Sequence, residues 1–135
     1  MGEGPRASVI VPNWNGAHHL PSCLDALRRQ TYTDFETILV DNGSTDDSLA
    51  LLARDYSWVQ VVALPNNRGY AGGCNAGLEA ASGEVLILLN NDTEVTPTWL
   101  GALLDALDRH PEAGMATPKV LLWDDHTRLH TTGDY

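Results

Sequence analysis

Short apolar runs alternate with helix-patterned segments along this chain, and that alternation limits the fold more than any other feature. Residues 7–11 (ASVIV), 35–40 (FETILV), 58–64 (WVQVVAL) and 84–89 (EVLILL) are short and rich in β-branched and aliphatic side chains, as strands require. Between the first two, Leu20, Cys23, Leu24 and Leu27 recur at i, i+3, i+4 and i+7, one face of a helix, with Pro21 tolerated only in its first turn. After the second run, residues 42–44 (NGS) form a turn. Ser44 is the expected N-cap, Asp46 and Asp47 fill the first turn, and Leu49, Leu52, Ala53 and Tyr56 make the buried face. The glycine-rich stretch 66–77 reads as a loop that runs into a short helix over 75–81. Thr96 is the expected cap of a last helix with Pro97 at its first position, and Leu100, Leu103, Leu104 and Leu107 supply its stripe. Residues 120–123 suit a final strand, and 124–135 carry no pattern of regular structure.

Strands separated by helices run mostly parallel with right-handed crossovers. The expected fold class is therefore α/β, a Rossmann-like, mostly parallel sheet with helices on both faces. The nearly continuous apolar run 84–89 predicts a strand covered on both sides. A chain of 135 residues is one domain's worth, and residues 1–6 and 124–135 are expected to be flexible ends.

Charge narrows the partners. Eighteen acidic against eight basic residues give a formal charge of −10, so there is no basic stripe for a nucleic-acid backbone or an anionic membrane. A nucleotide remains compatible, because a metal ion can neutralise a diphosphate locally. Cys23 and Cys74 have no CxxC or zinc spacing and read as buried thiols of a reducing, cytoplasmic protein. Residues 1–6 do not look like a signal peptide, and no apolar run is long enough to span a bilayer.

Open parallel sheets bind ligands beyond the carboxyl ends of their strands. Four segments there hold the unusual polar residues. In Pro12-Asn13-Trp14-Asn15, the indole can stack on a flat ring or merely cover the sheet edge. In the 41–46 segment (DNGSTD), turn chemistry explains Gly43 and Ser44, but not an acid such as Asp41 ending an apolar strand. In 66–77 (NNRGYAGGCNAG), Arg68 is the cation near the cleft mouth, and the spacing fits neither GxGxxG nor a P-loop. In 90–93 (NNDT), Asp92 can hold a hard divalent cation, though an Asx-turn is the plainer reading. The histidines form no HExxH pair and read as surface residues, and Ser44 and Ser48 have no identifiable histidine partner for a hydrolase triad. A dinucleotide or S-adenosylmethionine fold is disfavoured, because the first strand is followed by PNWN rather than a glycine-rich turn.

Taken in order, "SVIVPNWN", "ILVDNGSTD", "NNRGYAGGCNAG" and "LILLNND" resemble the inverting family-2 glycosyltransferases of GT-A fold over about residues 7–123. The resemblance implies a donor site for a UDP- or dTDP-sugar. Pro12 and Trp14 would flank the base, and Asp41 and Asn42 would meet base and ribose. Arg68 would lie near base or phosphates. Asn91 and Asp92 would match the Asp-x-Asp region, with Asp92 binding Mg²⁺ or Mn²⁺. Asn13, Asn15 and Asn75 complete the expected nucleotide-sugar contacts. Asn42 stands where a second Asp is frequent, and Asn90-Asn91 replace acidic residues, which should weaken metal affinity. The glycine-rich segment looks most like the rhamnosyltransferase-type branch. The resemblance further implies a glycan or lipid-linked acceptor, a general base beyond Tyr135, and hence a truncated catalytic domain with a peripheral place at the inner membrane face. A non-catalytic nucleotide-binding module, or an interaction module dimerising through an open sheet edge, is the alternative.

Overall fold

The structure, a computed structural model, describes residues 4–110, 120–122 and 125–131. The chain forms two compact units: residues 1–29 with 33–95, and residues 30–32 with 96–135.

The first unit contains β1 (Ala7–Asn13), α1 (Leu20–Arg28), β2 (Phe35–Asp41), α2 (Ser48–Asp55), β3 (Gln60–Ala63), α3 (Gly69–Ala80) and β4 (Val85–Leu88). Its sheet has the order β3-β2-β1-β4 and every pair is parallel. Side chains alternate between the two faces of a strand. On one face Ile10, Ile38 and Val40 are fully buried, with Val62, Leu64, Ala76 and Leu78 packed against them, so this face carries α3. Burying each such aliphatic side chain contributes about 1.5–3 kcal/mol. On the other face Val9, Val11 and Leu39 are equally buried, and α1 turns Leu20, Cys23, Leu24 and Leu27 inward as its spacing predicts.

Several boundaries differ from those the sequence suggests. β1 does not stop at Pro12 but continues to Asn13 in register with Asp41. Ile10 O accepts from Leu89 N on the β4 side, and Asn13 O accepts from Asn42 N on the β2 side. By alternation Pro12 faces β4, whose pairing has already ended at Leu88, so its missing N–H breaks no ladder bond.

The glycine-rich stretch is not a loop before a helix: it is α3 itself, beginning at Gly69. A Cβ on Gly77 would stand 2.5 Å from Ile10 Cγ2 and 2.9 Å from Val40 Cγ2. The glycine is there so that the helix can lie against the sheet, and helix propensity gives way to that contact. β4 is not covered on both faces as its apolar run suggests, because Leu86 is 48% and Leu88 47% exposed; among the described residues it is also the edge strand of its sheet. α2 starts at Ser48, not at Ser44, and buries Ser48 and Leu52 while Leu49 and Ala53 face solvent. Trp58 is also exposed and lies outside β3.

At the amino end of the sheet, Glu36 Oε2 accepts from Ser8 Oγ (2.6 Å), Ser82 N (2.7 Å) and Ser82 Oγ (3.0 Å), while Gly83 N donates to Ser8 Oγ (2.8 Å). This knot ties the α3–β4 turn to the starts of β1 and β2.

The second unit holds α4 (Trp99–Arg109) and the antiparallel pair β5 (Val120–Leu122) and β6 (Asp125–Thr131). Thr96 does not cap α4. Gln30 does so in its place, with Nε2 donating to Thr96 O (2.6 Å) and Oε1 accepting from Leu100 N (3.0 Å). Pro97 therefore sits in the turn before the helix rather than in its first position. Leu100, Leu103 and Leu104 are buried as expected, and Leu107 is half-buried. The segment read as patternless contains the strand β6. Trp123 and residues 132–135 lie outside the described residues. No helix among the described residues is long and apolar enough to cross a membrane.

Candidate functional site

The four segments that follow the strands meet at one rim of the first unit, and asparagine amides stitch them together. Asn15, held at φ 51°, a backbone region Asn tolerates better than most residues, accepts at Oδ1 from Thr45 N (2.7 Å) and Asp46 N (3.2 Å). Its own N–H donates to Ser44 Oγ (2.9 Å). Asn42 joins the second segment to the third: Oδ1 accepts from Arg68 N (2.8 Å) and Nδ2 donates to Gly69 O (2.9 Å). Gly43, at φ +80°, lets the 66–67 backbone cross within 2.7 Å of where a Cβ would be. Asn13 joins the first segment to the fourth, its Oδ1 accepting from Asn91 Nδ2 (2.8 Å). Tyr70 Oη donates to Asn90 Oδ1 (3.3 Å) and links α3 to the end of β4.

Between these segments lies a pocket of about 310 Å³. Pro12, Asn13 and Trp14 form one wall, Asn42, Asn67 and Tyr70 another, and Asn90, Asn91 and Asp92 the third. Trp14 is 55% and Tyr70 61% exposed, so two aromatic rings stand open at the pocket instead of packing in the core. Asp92 is the single carboxylate among these lining residues, and no lining residue is a cation.

Pro12, Asn13, Trp14, Asn42, Asn91 and Asp92 line the pocket as the sequence suggests. Asp41, Asn15, Arg68 and Asn75 do not. Asp41 is 1% exposed and works beneath the pocket, with Oδ2 accepting from Ser44 N (3.1 Å) and Oδ1 from Asn13 Nδ2 (3.2 Å). Arg68 and Asn75 are exposed and are not among the lining residues. Asn67, Tyr70 and Asn90 also line the pocket, although residue type alone does not single them out. Tyr70 belongs to the first turn of α3, which opens at the rim six residues before the helix start that the sequence suggests.

Asp46 is held below the usual carboxylate range: desolvation opposes the shift, and hydrogen bonds from the Ser48 side chain and from the Ala17 and Ser48 N–H groups together outweigh it. Burial, with the Asp92 charge adding to it, pushes the Cys23 thiol up to about 12, so this cysteine is inert. Desolvation and the neighbouring Cys74 thiol raise the Tyr70 hydroxyl above its ordinary value.

Among the described residues no three His, Cys, Asp or Glu side chains gather as a metal cage. What the pocket offers is one carboxylate and adjacent amide oxygens, all hard donors. That set fits Mg²⁺ or Mn²⁺ taking its other ligands from diphosphate oxygens and water. It does not fit a structural zinc site.

The model of glycosyl transferase family 2 matches residues 8–132. The chain belongs to glycosyltransferase family 2. Within the family it is 37% identical over 91 residues to a PGL/p-HBAD biosynthesis glycosyltransferase of Mycobacterium bovis, covering 65% of this chain and 36% of that protein. It is 32% identical over 107 residues to the glycosyltransferase YibD of Escherichia coli, covering 77% of this chain and 31% of that protein. The chain thus spans about a third of the length of these curated relatives. Among solved structures, S. aureus TarS in complex with UDP-GlcNAc superposes with a TM-score of 0.72 at 24% identity, over 89% of this chain and 41% of that one. The mannosyltransferase PcManGT of Pyrobaculum calidifontis, in complex with GDP-Man and Mn²⁺, superposes with a TM-score of 0.69 at 26% identity, over 78% and 33%. The fold is the GT-A arrangement that the sequence suggests.

Proposed function

We propose that the rim pocket binds the nucleoside diphosphate of a UDP- or dTDP-sugar, and that the chain is the donor-binding part of an inverting, metal-assisted glycosyltransferase. The observation that carries this reading is the convergence of Trp14, Asn91 and Asp92 on one pocket from segments far apart in sequence. The TarS and PcManGT complexes, which hold UDP-GlcNAc and GDP-Man, support it by likeness of fold.

In this reading the exposed indole of Trp14 stacks on the base, and Asn13 and Asn42 hold the walls that receive it. Asp92, with oxygen from its amide neighbours, would hold Mg²⁺ or Mn²⁺, which supplies charge neutralisation to the departing diphosphate. An acceptor hydroxyl on a glycan or lipid-linked molecule attacks the anomeric carbon from the face opposite the diphosphate. The new C–O bond forms as the bond to the phosphate oxygen breaks, inverting the centre, and the hydroxyl proton passes to a general base. Asp92 is the only carboxylate in the pocket lining, so that base is a residue outside it.

Calorimetry with UDP, dTDP and GDP, each with Mn²⁺ or with EDTA, tests the reading directly. Binding of at least one of these in Mn²⁺, weakened by Trp14→Ala, is expected. Absence of binding by all three at millimolar concentration contradicts it.

A further inference from the structure

Asn13 is 2% exposed, and its two amide ends are not interchangeable. Nδ2 donates to Asp41 Oδ1 (3.2 Å) and to Ser48 Oγ (3.0 Å). A carboxylate only accepts, so the nitrogen of Asn13 must face Asp41 and its oxygen must face away. That oxygen accepts from Asn91 Nδ2 at 2.8 Å. Turning the Asn91 amide over would set two carbonyl oxygens against each other, so its nitrogen is committed to Asn13. Among the described residues Asn91 Oδ1 has no partner, and Asn91 lines the pocket immediately before Asp92. Gly16 roofs the amide pair: a Cβ there would stand 2.3 Å from Asn91 Nδ2 and 2.5 Å from Asn13 Oδ1.

The geometry points to a polarity relay, in which buried Asp41 orients Asn13 and Asn13 orients Asn91. The relay presents the amide oxygen of Asn91, not its NH₂, beside Asp92 as a second oxygen donor for a divalent cation carried in with the nucleoside diphosphate. This rests on the donor-site reading above. It gives Asp41 and Asn13 a task different from touching the base: they are positioning residues that act through Asn91. It also offers a reason why amides replace acids here, since an oriented amide supplies an oxygen to the cation without adding negative charge near the diphosphate.

Two measurements test the relay. The first is the ratio of nucleotide Kd in EDTA to Kd in Mn²⁺, for Asn13→Ala, Asn91→Ala and the double variant. Each single change is expected to cut the ratio about five- to tenfold, the worth of one hydrogen bond or ligand contact, with the double variant no worse than Asn91→Ala alone. A purely structural role for Asn13 weakens both Kd values together and leaves the ratio intact, which overturns the relay, as does full additivity. The second uses the ¹⁵N-labelled chain without ligand, where the side-chain NH₂ of Asn91 should show a nuclear Overhauser contact to the Gly16 α-protons. Absence of that contact in the folded protein overturns the proposed orientation whether or not any variant folds. If the unaltered chain binds no nucleotide, the donor-site reading fails, and the Overhauser contact alone then decides the amide polarity.

Discussion

Gly77→Ala is the substitution whose outcome the structure constrains most tightly. The new methyl carbon would sit 2.5 Å from Ile10 Cγ2 and 2.9 Å from Val40 Cγ2. Ordinary carbon contacts are about 3.5–4.0 Å, so the helix must lift or the sheet must give. Ile10 and Val40 are both fully buried and have nowhere to go. Overpacking of this kind costs about 1–3 kcal/mol, against which replacing a helical glycine by alanine returns about 1 kcal/mol. Gly101 in α4 is the matched control, because a Cβ there meets only Tyr32 Cβ at an ordinary 3.6 Å. Gly101→Ala should therefore stabilise by about 1 kcal/mol. The propensity gain is common to both variants, so their difference reads the clash alone, about 1–3 kcal/mol. Urea unfolding followed by far-UV circular dichroism measures it, with separate transitions fitted if the two units melt apart. Gly77→Ala that stabilises as much as Gly101→Ala would refute the claim that glycine is there for close helix–sheet contact.

Trp14→Ala should weaken nucleotide binding about 5- to 100-fold, the range of a lost base–aromatic stack, while the unfolding midpoint barely moves because the ring is exposed; an unchanged Kd by calorimetry contradicts its placement. Glu36 is held below its ordinary value of 4.5: partial burial opposes the shift, and hydrogen bonds from Ser8, Ser82 and Gly83 outweigh it. Its contribution is thus complete above about pH 4.5 and is lost as pH falls through the depressed folded value, so Glu36→Gln should lower stability at pH 7 and flatten the acid limb of a stability–pH curve. Cys23 and Cys74 are buried, and the Cys23 thiol is pushed up to about 12, so a thiol reagent at pH 8 should label both only on unfolding; fast labelling of the native chain would contradict their burial.

The order of elements and the rim where chemistry collects were legible in the sequence, because periodicity and strand-end polarity are local signals. The stripe Leu20, Cys23, Leu24, Leu27 needed no tertiary information to be read. The third helix did: Gly77 and Gly73 contradict helix propensity, and only tertiary contacts explain them, the approach to Ile10 and Val40 for Gly77 and to the Asn42 amide for Gly73. The caps failed for a related reason. Thr96 looks like a cap by type, but Gln30, far away in the chain, reaches the helix start first. At the site, residue type located Trp14 and Asp92 but could not separate residues that face the pocket from those that hold it. Asp41 and Asn15 belong to the second group because their hydrogen-bonding atoms are turned to neighbouring segments. The apolar run of β4 reads as doubly covered, yet hydropathy does not say which element packs on each face, and Leu86 and Leu88 stand exposed.

The most direct trial of the central claim is a crystal structure of the chain with UDP or dTDP and Mn²⁺. The base should lie against Trp14, with the diphosphate and metal at Asp92 and the Asn91 amide oxygen turned toward the ion. A nucleotide bound elsewhere, with Asp92 and Trp14 untouched, would contradict it.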